Sequence, residues 1–82
     1  MPIFDPQTAL AHAHKACQLS GWGRPIMLNT LASAYAEVGQ FDEAVRWQKQ
    51  ALSRPERLTP VQVEEFTARL RRYEQGQPER LG

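Results

Sequence analysis

An 82-residue chain with a net charge of +1 and 41% hydrophobic residues makes one small domain, able to bury about 60–65% of its unfolded surface, so that a stand-alone core is marginal. The near-balance of charge excludes the strongly basic composition of a phosphate-binding chain, and the single cysteine, Cys17, excludes an internal disulfide. No apolar run approaches the roughly 20 residues that span a bilayer, and the opening MPIFDPQ lacks the basic and apolar segments of a signal peptide, so a cytoplasmic protein is expected.

The first predicted helix covers residues 6–20. Asp5-Pro6 suits its start, because Asp accepts from exposed amides and Pro fits a first helical turn. Ala9, Leu10, Ala13, Ala16 and Cys17 form a narrow stripe of small apolar residues, which implies close approach of a neighbouring helix. Gly21 should end this helix as a left-handed cap, with Trp22 folding back on the last turn. The second helix, residues 25–38, places Leu28, Leu31, Ala32 and Tyr35 at i, i+3, i+4 and i+7. Gly39 then allows a left-handed close, and only a residue or two precedes the third helix, residues 41–53. Its stripe is Phe41, Ala44, Val45, Gln48, Ala51 and Leu52, and two helices joined so tightly run antiparallel. A linker from Ser53 to Leu58, broken by Pro55, leads to the fourth helix, residues 60–74. Thr59-Pro60-Val61-Gln62 matches a capping box, and Val63, Phe66, Leu70 and Tyr73 give the apolar stripe. Residues 1–75 are thus read as one domain, and 76–82, GQPERLG, as a disordered tail with nothing to bury.

The segment PIMLNTLASAYAEVGQFDEAVRWQKQAL, Pro25 to Leu52, resembles a tetratricopeptide repeat. The family's large apolar residue, Leu-small pair and Tyr correspond to Leu28, Leu31-Ala32 and Tyr35. Its Gly, aromatic, Ala and Ala-Leu pair correspond to Gly39, Phe41, Ala44 and Ala51-Leu52. Two positions depart from the pattern: Gln48 stands where the family has an aromatic, and the closing Pro comes one place early, as Pro55. Adding 35 to the number carries Pro25, Leu28, Leu31 and Tyr35 onto Pro60, Val63, Phe66 and Leu70, and Ala9, Leu10, Ala16 and Cys17 onto Ala44, Val45, Ala51 and Leu52. The helices therefore follow the order of one full repeat flanked by two half repeats. The resemblance implies an all-α, antiparallel helical hairpin array of about four helices, a short right-handed solenoid, and a non-catalytic scaffold for protein–protein interaction without a cofactor.

In this family the first helix of each repeat lines the concave wall. Opposite the apolar stripe of the second helix lie Ile26, Thr30, Ser33 and Glu37, with Asn29 on the flank; the shift of 35 adds Val61, Glu65, Ala68 and Arg72, with Glu64 on the flank. These ten residues are the candidate partner-binding wall for a protein or peptide. The family's carboxylate clamp is not matched, since Thr30 stands where the clamp needs Asn. A solenoid's open ends are interfaces by construction, so self-association as a homodimer is expected, with Trp22, Trp47, Val63, Phe66, Leu70 and Tyr73 as candidates; the alternative use of Phe4, Trp22, Trp47 and Tyr73 is to seal the ends within one chain. The alternatives are a monomeric peptide-binding fragment of a longer array and, behind it, a basic nucleic-acid-binding helical domain.

Little supports catalysis. His12 and His14 lie about 200° apart on a helix and cannot share a metal, and His14 with Cys17 supplies two ligands where zinc takes four. Cys17 reads as a small core residue, while Asp42-Glu43 and Glu64-Glu65 sit near helix starts, where the dipole favours them. Arg69, Arg71 and Arg72 point about 240°, 80° and 180° around their axis, which makes no stripe for nucleic acid.

Overall fold

The computed structural model describes residues 6–76, in which four helices follow one another: α1 (Pro6–Ser20), α2 (Pro25–Glu37), α3 (Phe41–Ala51) and α4 (Pro60–Glu74), with a 3₁₀ turn at Pro55–Arg57. No strand occurs among the described residues, and the all-α array expected from the stripes is what forms. Asp5 as a cap, Phe4 as an end seal and the tail from residue 77 onward lie outside the described residues.

Each connection has a local cause. Gly21 and Trp22 both take left-handed backbone, φ 79° and 63°, and the Trp22 amide donates to the Cys17 carbonyl at 3.0 Å. The α2–α3 turn repeats this closure: Gly39 has φ 82°, and the Gln40 amide donates to the Tyr35 carbonyl at 2.9 Å. At the start of α4 the Gln62 amide donates to Thr59 Oγ1 at 3.1 Å while Gln62 Oε1 accepts from the Thr59 amide at 3.0 Å, a reciprocal capping box. Gly76 corrects the reading of residue 76 as the start of a featureless tail. Its φ of 73° and its amide bond to the Tyr73 carbonyl, 3.0 Å, close α4. The helices α2 and α3 end at Glu37 and Ala51, short of the expected residues 38 and 53, because Val38 leaves helical geometry and the Leu52 amide is shared between the Gln48 and Lys49 carbonyls.

α2 packs most extensively on α3, with α1 laid against α2 and α4 against α3. One core cluster joins Ala13 and Cys17 of α1, Leu28 and Leu31 of α2, Ala51 of α3 and Phe66 of α4. A second joins Ala32, Ala36, Ala44 and Tyr73. Gln48, fully buried, donates from Nε2 to the Phe66 carbonyl at 2.9 Å, so the position where the family has an aromatic instead ties α3 to α4 by a hydrogen bond. Phe66 and Tyr73, named above as candidates for self-association, lie instead in the core. They are 4% and 1% exposed, and the other buried members of the Tyr73 cluster are alanines, whose small side chains leave volume for its ring. Val63 and Leu70 are half-buried.

Candidate functional site

Small residues make a groove where α1, α2 and α4 meet. Ala9 and Ala13 of α1, Asn29, Thr30, Ser33 and Ala34 of α2 and Arg69 of α4 line a depression of about 350 Å³. A larger one, about 440 Å³, is lined only by the consecutive residues Gly39, Gln40, Phe41, Asp42 and Glu43, and so brings no separate elements together. Within the three-helix groove Asn29 is 8% exposed, and its buried Oδ1 has no hydrogen-bond partner among the described residues. Thr30 Oγ1 donates to the Ile26 carbonyl at 3.0 Å, which uses its proton. A buried acceptor left without a donor costs about 1–3 kcal/mol, and a donor brought by a ligand recovers it. Arg69 is the single charged residue of this lining among the described residues.

The candidate wall is therefore divided. Asn29, Thr30 and Ser33 come together in the groove, whereas Ile26 and Glu37 are exposed outside it. On α4, Val61 and Glu65 are exposed elsewhere, and Arg72 is half-buried. Glu64 and Ala68 instead line a depression of about 370 Å³ with Pro60, Val63, Thr67 and Arg71. Sequence reasoning missed Ala34 and Arg69 in the groove, although the shift of 35 relates them to each other.

Residues 27–58 match a family described as the tetratricopeptide repeat. Over this stretch, less than half of the chain, the sequence is similar to a tetratricopeptide repeat. No curated protein and no solved structure matches the chain. The matched repeat begins at the third residue of α2 and runs through α3 to Leu58, so it supplies Asn29, Thr30, Ser33 and Ala34 of the groove, while Ala9, Ala13 and Arg69 come from the helices on either side. Tetratricopeptide repeats act as protein–protein interaction scaffolds, and helical solenoids present their binding surfaces in such concavities.

Away from the groove, an aromatic cluster joins α1 to the repeat. His14 Nε2 lies 2.8 Å from the Tyr35 hydroxyl. Its ring meets Trp22 edge-on at 5.5 Å and Tyr35 at 5.9 Å. Trp22 stacks on Trp47, centroids 5.2 Å apart and 20° from parallel, so these two proposed anchors are partly spent on each other. The Arg46 guanidinium lies 5.2 Å from the Trp47 ring centroid and 3.8 Å from Glu43. Burial, and next the nearby Glu43 carboxylate, raise the pKa of Tyr35, while the Arg46 guanidinium pulls it down. His14 was weighed in the sequence only as a ligand; its place one turn after Leu10 and before Cys17 was the signal of a packing role. The Cys17 thiol donates to the Met27 carbonyl at 3.5 Å and is raised in pKa by burial. Among the described residues no group of three metal-ligating side chains forms, and no helix is long and apolar enough to cross a membrane.

Proposed function

We propose that the chain is a non-catalytic interaction module that holds an extended peptide segment in the groove over Asn29. The supporting observation is a groove built from three helices whose lining includes the buried Asn29, with an Oδ1 that has no hydrogen-bond partner among the described residues. A peptide main-chain N–H supplies the missing donor, small side chains fit over Ala9 and Ala13, and Arg69 favours an acidic or terminal carboxylate group nearby. A reducing, cytoplasmic setting agrees with the buried free thiol of Cys17. The order of half repeat, repeat and half repeat gives this groove its walls: α1 and α4 each lend residues to the central hairpin.

The test is to pan a displayed library of random peptides against the protein and measure recovered binders by fluorescence anisotropy. Asn29→Leu should weaken them about tenfold, the equivalent of one lost hydrogen bond, and Ser33→Arg should block the groove. Binders indifferent to both substitutions would place the site elsewhere.

Self-association is a second reading, favoured by a flank of α4 that is open among the described residues. The residues around Val63, Glu64, Thr67 and Ala68 form an open depression where a longer array would lay its next helix.

A further inference from the structure

The flank of α4 that lines this second depression carries Glu64 toward one end and Arg71 toward the other, with Thr67 and Ala68 between them. At about 100° per residue, Pro60, Glu64, Thr67, Ala68 and Arg71 fall within roughly 50° either side of one line along the helix. Glu64, Ala68 and Arg71 are exposed, and neither charged residue forms an ion pair among the described residues. The pattern reads the same from both ends: an end charge, two small residues, and the opposite charge.

We infer that this face binds the same face of a second copy, with the two α4 helices antiparallel about a two-fold axis between Thr67 and Ala68. That axis sets Glu64 against Arg71 of the second copy, and symmetry makes the pair twice. It also sets Thr67 against Ala68 of the second copy, and these small side chains let the helices approach closely. Half-buried Val63 borders the contact and extends its apolar edge. The occupant is a second copy because the charge order is complementary to itself in one register; a parallel pairing sets like charges side by side. One helix per copy makes a contact at the small end of specific interfaces, so association is weak and depends on concentration. The inference rests on the self-association reading and gives it a face and a register.

Sedimentation equilibrium decides it with the wild type, Glu64→Arg, Arg71→Glu and an equal mixture of the two variants. Both substitutions are at exposed positions, and far-ultraviolet circular dichroism checks that the helices persist. The wild-type mass should rise with concentration and fall with added salt. Each variant alone should associate at least about tenfold more weakly, because the two-fold brings like charges together at both sites. Mixing the variants should restore association, since each altered face then meets its opposite charge. Wild-type protein that stays monomeric at millimolar concentration overturns both the inference and the reading it rests on. Variants that associate as the wild type does overturn only this face and register.

Discussion

Leu31 is fully buried between α1, α2 and the later helices, and it sits on a stripe that periodicity alone identifies. Leu31→Ala should cost about 2–5 kcal/mol in chemical denaturation, a large part of what so small a domain possesses. Gly39 is a backbone problem instead. A Cβ there meets nothing within 4 Å, so the whole penalty of Gly39→Val comes from φ 82°, and at least about 1 kcal/mol is expected. Gly23, outside the left-handed region, is the control: Gly23→Ala should change stability by less than about half a kcal/mol. Tyr35 gives a pH dependence of definite sign. Its folded pKa is raised above the unfolded value, so its contribution is fully present below about pH 10 and is lost as pH rises through the folded pKa. Thermal melts should therefore fall at alkaline pH, and less steeply in Tyr35→Phe. What the sequence hid at this scale was the pairing of His14 with Tyr35, because a contact between residues 21 positions apart leaves no periodic trace.

Among the elements, the helices and their order were legible because each has a 3.6-residue stripe and a definite stop. Thr59 and Gln62 also announced their capping box, and both bonds form. Thr59→Ala should lose about 0.5–2 kcal/mol, measured by urea unfolding, and a neutral result would deny the cap any hold on α4. Gln48 was visible as a departure from the repeat but not as a link. Its amide reaches the Phe66 carbonyl across α3 and α4, and its Oε1 is buried without a partner. Gln48→Met keeps the volume and removes that stranded acceptor, so it should cost under about 1.5 kcal/mol, whereas Gln48→Ala opens a cavity and should cost more. The wall residues were only half legible. Helical projection ranks the faces of one helix, but the groove takes its lining from three helices, Ala9 and Ala13 of α1, Ala34 of α2 and Arg69 of α4 among them, and which helices come together depends on tertiary packing.

At the scale of the whole molecule the chain stacks each helix mainly on its sequence neighbours, the one-dimensional order of a repeat array. That order fits an α4 flank left open among the described residues, while the aromatic residues expected to seal or join the ends, Trp22, Trp47, Phe66 and Tyr73, are already engaged within the chain. The central claim, that a partner peptide lies over Asn29, is tested most directly by backbone-amide NMR. A peptide recovered by panning is titrated into labelled protein, and the resonances that move are assigned. The account predicts that the largest shifts fall at Ala9, Ala13, Asn29, Ser33 and Arg69, with the Asn29 side-chain amide among them, and that Ser33→Arg abolishes them. Shifts confined to the outer faces of α3 and α4, with the Asn29 neighbourhood unmoved, would contradict it.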